Sequence, residues 1–194
     1  MTTRRPLLAL AAALALSGCF SFGGKPPPLL MRLTPDQARP AGTSRTAAAA
    51  EAITVTVPSV AAELRTPRVP VRTGGTGVAY LKNAQWVETP DALFGRLLGD
   101  TIAARTGRVV LDARQFTFDP GIRLTGTLQS FGFDADTSEA VVVYDAVLGR
   151  GPDAVESRRF EARVPVAVID ASTAPAALNN AANSVAAEVA AWIG

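Results

Sequence analysis

Ile122-Arg-Leu-Thr-Gly-Thr-Leu-Gln-Ser-Phe-Gly-Phe133 is the stretch whose reading decides the fold. Ile122, Leu124 and Leu128 point one way, while Arg123, Thr125, Thr127 and Gln129 point the other. A period of two is the signature of a half-buried strand. Phe131 and Phe133 then fall on the polar face. Two explanations stand open: an exposed aromatic pair that marks a partner or lipid contact, or a bulge near Ser130-Phe131-Gly132 that shifts the register and hides both rings in the core. Downstream, residues 134–139 make a hairpin turn, 140–148 return, and 149–153 turn again. Val155 to Ile169 is a third long strand with Phe160, Ala162, Val164 and Val166 on one face. Pro165 places the far half of that strand at an edge or a bulge, because proline cannot donate to a ladder. The three strands form an antiparallel meander.

Helices bracket this meander. Thr89 to Thr106 has Thr89 at the cap, Pro90 in the first helical position and Asp91 facing the positive end of the dipole. Leu93, Phe94, Leu97, Leu98 and Ile102 recur at helical spacing, and Gly107 stops the helix. Ser172 or Thr173 caps a last, alanine-rich helix with Leu178, Ala181, Val185, Val189 and Trp192 on one face. Upstream, residues 53–57 read as a β-branched strand. Residues 69–72 and 78–82 flank the turn Gly74-Gly75-Thr76-Gly77 as a hairpin, and 109–111 are a short buried strand. The glycine cluster lacks the Lys-Ser/Thr of a phosphate loop and does not open a helix. The expected class is α/β in the α+β sense: a single domain over residues 51–194, with an antiparallel or mixed sheet and two main helices packed on it.

The N-terminus has a different character. Arg4 and Arg5 precede an apolar run from Leu7 to Leu16, and Leu16-Ser-Gly-Cys19 follows. Charge, apolar segment and small residues in that order make a secretory signal over residues 1–18. The run is about ten residues, too short for a bilayer core of roughly 30 Å. Cys19 is the sole cysteine of the chain. A lone thiol in an exported protein is unpaired in an oxidising compartment, and acylation accounts for it better. Residues 19–50 are then the acylated cysteine followed by a tether and loop, with a short strand at 29–33. Glycine loosens the tether, and Pro26-Pro27-Pro28 stiffen it. Residues 34–50 show no period and read as an irregular, disordered loop.

Composition excludes more than it proposes. Residues 1–18 contain two basic residues and no acid, so the remaining 176 of 194 are formally neutral, with 17 of each sign. A basic nucleic-acid binder is not encoded here. The chain has no histidine, which removes the usual general base and the commonest metal ligand. Ser-His-Asp catalysis and Cys/His zinc sites are excluded. Lysine occurs only as Lys25 and Lys82. Asp134, Asp136 and Glu139 share one turn, but the EF-hand glycine and distal glutamate are missing, so they read as a solvated tip. Asp112 and Asp119 are the remaining acid–base pair, with nothing in the sequence to bring them together. Trp86 precedes the first helix; with Phe131 and Phe133 it completes the candidate partner or lipid contacts. No cofactor is called for and no enzyme is expected.

Several of these stretches carry a resemblance. Leu16-Ser-Gly-Cys19 resembles the lipobox of bacterial lipoproteins, whose cysteine is acylated after cleavage. Phe20 stands where an aspartate retains such proteins in the inner membrane, which favours the outer membrane, facing the periplasm. Arg72, the segment Val78-Ala-Tyr80-Leu-Lys82, Trp86, the helix Leu93 to Ile102 and the closing helix Ala177 to Ile193 together resemble the auxiliary lipoproteins of ABC-type lipid transporters, the family of the Pqi-type lipoprotein. The order of elements carries the likeness, over most of residues 29–193. Gln85 departs from it where an arginine usually precedes the tryptophan, Leu29-Leu30 replace aromatic residues, and residues 34–50 are longer than typical. The resemblance implies a non-catalytic periplasmic domain working with an MCE-type substrate-binding protein, an ABC permease and an ATPase in moving lipid between membranes. The remaining alternative is a lipoprotein of lipopolysaccharide or outer-membrane-protein assembly. A homo-oligomer is left open.

Overall fold

A computed structural model describes residues 29–113, 121–151 and 154–194. Its strands are β1 (Leu29–Met31), β2 (Ile53–Val55), β3 (Ser59–Val60), β4 (Arg68–Thr73), β5 (Gly77–Trp86), β6 (Val110–Asp112), β7 (Ile122–Asp134), β8 (Glu139–Arg150) and β9 (Val155–Pro165). The helices are α1 (Pro90–Thr106) and α2 (Ala174–Ile193). The signal segment, Cys19 and the tether through Pro28 lie outside the described residues, as does Asp119.

β7 is the spine of one mixed sheet. Along one edge it pairs antiparallel with β8 over its whole length, and β8 pairs with β9 in turn. This is the meander expected from the alternation. Along its other edge β7 takes three short strands in succession, all parallel: Ile53 opposite Ile122, Ser59 opposite Thr127, and Val71 opposite Phe133. β6 extends the sheet beyond β2, and the β4–β5 hairpin extends it beyond β4, with β1 parallel on the far side of β5. The long meander supplies the continuous ladder. The short strands borrow its edge and need no partner of their own.

The bulge lies at Gln129. Leu128 faces Tyr144 and Ser130 faces Val143, so one residue of β7 has no counterpart on β8. That extra residue flips the alternation. Ile122, Leu124 and Leu128 face the helices before it, and Phe131 and Phe133 face them after it. Both rings are buried, at 1% and 2% exposure. The exposed-pair explanation is therefore corrected: these side chains are core. Trp86, at 1% exposure, is core as well; its ring meets Phe131 edge-on at 5.2 Å. Phe94 of α1 closes the cluster against Phe131 at 6.2 Å and Tyr144 at 5.3 Å.

Both helices cover the same sheet face, packed on each other, with α2 lying across β8 and β9. The α1 stripe is buried as its spacing predicts, and Gly107 takes a left-handed φ of 77° to end the helix. Thr89 occupies the cap position, but its hydroxyl makes no capping bond. The cap of α2 also differs from expectation. Asp170, not Ser172 or Thr173, does the work: its carboxylate accepts from the Ser172 and Thr173 backbone N–H groups at 2.8 and 2.9 Å. Trp192 is half-buried against Phe160, with ring centroids 5.6 Å apart.

β1 forms within the segment expected as a short strand, and the chain after it is fastened to α2. Thr34 and Asp36 donate their backbone N–H groups to Asn179 and Asn183, and the Asn183 amide returns a bond to the Thr34 carbonyl at 2.9 Å. Arg45 donates to the Ala103 carbonyl at the end of α1. Residues 34–50 are irregular but tied to the body, because buried Asn183 satisfies backbone groups that no ladder reaches. No helix among the described residues is long and apolar enough to cross a membrane.

Candidate functional site

The sheet face opposite the helices carries a groove of about 330 Å³. Its floor comes from the bulged half of β7 and the facing half of β8. Ser130 lies opposite Val143 and Gly132 opposite Val141, with Glu161 and Arg163 of β9 next in line. Small residues on β7 make the depression, and two nearly buried valines of β8 lie at its floor. Gly132 is required, because a Cβ there would overlap the Pro70 carbonyl of β4.

The walls are charged. On the β9 side, Arg159 grips Asp145 through two nitrogens at 2.6 and 2.7 Å, and Arg163 reaches Glu161 and Glu139. On the other side, Arg72 binds Glu63 and donates to the Ser130 hydroxyl at 2.7 Å and the Gln129 carbonyl at 3.1 Å. Arg72 thus fastens the bulge itself, holding residues that the β7–β8 ladder leaves out of register. Tyr80 donates its hydroxyl to the Glu63 carbonyl, and the Arg68 guanidinium lies over its ring at 4.0 Å. Arg72, Tyr80 and Trp86, which the sequence places in one run, hold the groove wall, the 61–67 connection and the core beneath. Replacing Arg72 with alanine is expected to cost about 1 kcal/mol and lower Tm by roughly 2–4 °C, since it removes charge-assisted but half-exposed bonds. Thermal unfolding followed by circular dichroism measures this.

Two carboxylates paired with the arginines of the β9 wall are held below their ordinary values. The Arg159 guanidinium holds the Asp145 carboxyl below its ordinary value of 3.8. The Thr137 hydroxyl, then Arg163, hold Glu139 below 4.5. Groups whose folded pKa is lowered stabilise above the unfolded value and lose that contribution as pH falls through the folded one. Tm is therefore expected to be level from pH 7 to about 5 and to fall below about pH 4. The fall is smaller in the Glu139→Gln, Asp145→Asn double variant. A pH series of melting curves on the two proteins decides this.

The groove is furnished for binding. Ser130 supplies the hydroxyl among its lining residues, and that hydroxyl faces a guanidinium, which gives protons and does not take them. A floor of small residues and paired charges on both walls suit an extended polypeptide chain. The other candidates are scattered. Asp112 ends β6 at the far edge of the sheet. Asp134 accepts from the Asp136 and Thr137 N–H groups, shaping the hairpin tip, and Asp136 accepts from the Gly74 N–H. Among the described residues no group of three or more acids or cysteine is placed to hold a metal ion. The groove escapes sequence reasoning because its walls lie some 90–100 residues apart in the chain. The one local signal is the outward row Arg159, Glu161, Arg163, charged at every second position.

Fold and groove define a class: a single α+β domain with helices on one sheet face and a charged groove on the other. Comparison with known proteins narrows it. Residues 33–190 match the family described as ABC-type transport auxiliary lipoprotein component, and the chain belongs to that family. A solved structure of an uncharacterised protein is similar over 85% of this chain and 99% of its own, with a TM-score of 0.66 at 14% identity. Protein XCC0632 from Xanthomonas campestris, described as DUF330, is similar over 84% of this chain and 91% of its own, with a TM-score of 0.63 at 22% identity. Both likenesses speak to the fold. No curated protein matches.

Proposed function

We propose that this chain is a non-catalytic, periplasm-facing lipoprotein subunit of an ABC/MCE-type lipid transport system, which docks the transporter at the outer membrane. The family match over residues 33–190 carries this reading, because that family is named for an auxiliary role in ABC-type transport. The acylation sequence at Cys19 supports an anchor, and Phe20 in place of aspartate supports the outer membrane. The absence of histidine and the paired charges of the groove support binding without catalysis. The partners are an MCE-type substrate-binding protein with its permease and ATPase. The groove on the open sheet face is the surface offered to them.

Anchoring is tested first through Cys19. Buried acyl chains contribute about 0.8 kcal/mol per CH₂, and several together hold a protein essentially permanently. The native chain is expected to incorporate labelled palmitate and to sediment with the outer membrane. Cys19→Ala should incorporate none and leave the membrane fraction. Palmitate uptake by the variant, or inner-membrane sedimentation of the native chain, contradicts the proposal.

A further inference from the structure

β9 ends the sheet on one side. Among the described residues it pairs with β8 alone, so its outer edge is open over 11 residues. That is about twice the length of a common strand. The two ends of the β8–β9 ladder show which backbone groups face this edge. The Val166 N–H donates to the Ser138 carbonyl, and the Ala154 carbonyl accepts from the Arg150 N–H. Alternate residues of an antiparallel strand bond to the same neighbour, so the even-numbered residues of β9 turn to β8. Val155, Ser157, Arg159, Glu161 and Arg163 turn their N–H and C=O groups outward. All five residues are exposed, Val155 at 69%. Pro165 has the outward parity too, so its missing N–H takes nothing from β8.

Charge on an open edge ordinarily guards it against unselective pairing. On β9 the charges alternate in a sequence that complements itself. Laid antiparallel to a second copy and centred on Phe160, residues 155–165 pair over their whole length. Arg159 then faces the Glu161 of the copy, and Glu161 faces its Arg159. Centring one residue earlier sets Arg159 against itself, and one residue later sets Glu161 against itself. Like charges directly opposite destabilise such a pair. Centring on Ala162 sets Glu161 against Arg163 but leaves residues 155–158 of each strand without a partner. Both members of the Arg159–Glu161 contact keep an atom for it. Asp145 takes Nε and Nη2 of Arg159 and leaves Nη1, while Arg163 takes Oε1 of Glu161 and leaves Oε2.

We infer that the open edge of β9 is an interface for a second copy of this chain, formed by antiparallel β9–β9 pairing about a two-fold axis at Phe160. The inference does not rest on the transporter assignment. The axis stands perpendicular to the sheet, so the helices of both copies lie on one face of a continuous sheet and both charged grooves on the other. Arg159, Glu161 and Arg163 line the groove. The two grooves therefore share one charged ridge, made of the paired β9 strands.

The test is charge reversal in the full chain, purified in mild detergent and weighed by native mass spectrometry over a range of concentrations. The native chain should give a two-copy species. Arg159→Glu and Glu161→Arg should each raise its dissociation constant about tenfold or more, because each sets like charges opposite one another. An equimolar mixture of the two variants should restore a two-copy species whose mass shows one copy of each. In that mixture every opposed pair is again Glu against Arg. A loss of fold cannot be repaired by mixing, and melting curves verify that each variant folds. A native chain that stays single at every concentration, an assembly indifferent to either reversal, or a mixture that stays single overturns the inference.

Discussion

Replacing Phe131 and Phe133 together with serine is expected to abolish cooperative unfolding of the domain. Both rings are buried in the core, and Phe131 joins β7 to Trp86 of β5 and Phe94 of α1. Truncating a core phenylalanine costs about 3–5 kcal/mol, and a serine adds the cost of an unpaired hydroxyl. The two are neighbours, so their effects will not sum simply. Even so, the total rivals a typical domain stability of about 5–15 kcal/mol. Phe131→Ala alone should lower Tm by about 10 °C, at roughly 2–4 °C per kcal/mol for a domain of this size. Far-ultraviolet circular dichroism against temperature reads both. A double-serine variant that melts within a few degrees of the native chain would return these rings to the surface and dismiss the bulge at Gln129.

Gly126→Val should be the next most damaging change. Gly126 faces Ala146 in the middle of the β7–β8 ladder, and the Tyr144 ring lies over it. A Cβ at residue 126 would sit 2.7 Å from ring atoms of Tyr144 and would overlap the Asp145 carbonyl oxygen. Tyr144 cannot move without breaking the 2.8 Å bond from its hydroxyl to the Thr125 carbonyl. Burial holds that phenol in its protonated, donating form by pushing its pKa up. Overpacking of this kind costs about 1–3 kcal/mol, and separating the ladder adds to it. The expected fall in Tm is about 5–12 °C. Combining Gly126→Val with Tyr144→Ala should fall short of full recovery, because the Asp145 carbonyl remains in the way. Thermal melts of the single and double variants form the cycle that separates the two contacts.

The parts of this fold that are local in the chain are legible in its sequence. The meander follows from alternation in residues 122–133 and 155–164, and α1 from the spacing of Leu93, Phe94, Leu97, Leu98 and Ile102. The bulge is legible only as one of two explanations of the broken alternation, near Ser130-Phe131-Gly132. The partner strand decides that the register slips and that Gln129 is the unpaired residue. The parallel pairing of β2, β3 and β4 along one edge of β7 has no local signal, since each is two to six residues long and depends on a strand far downstream. What ties residues 29–36 to the body is β5 and the asparagines of α2, about 50 and 150 residues away. Asp170 as the cap of α2 is hidden because the third strand ends at Pro165, sooner than its apolar residues suggest.

The same logic explains the site. The lipobox-like sequence at Cys19 is a linear motif and so can be proposed from the sequence alone. The groove is not, because its floor joins β7 to β8 and its walls join Arg72 to Arg163. Arg72, Tyr80 and Trp86 stand out as a run with family character, and the structure explains the run physically: one fastens the bulge, one the 61–67 connection, one the aromatic core.

Purification of the acylated protein from detergent-solubilised envelopes, with mass-spectrometric identification of what accompanies it, tests the central claim most directly. The account predicts recovery of an MCE-type protein, with its permease and ATPase in the same fraction. Recovery of an outer-membrane assembly machine, with no transporter component, would contradict it.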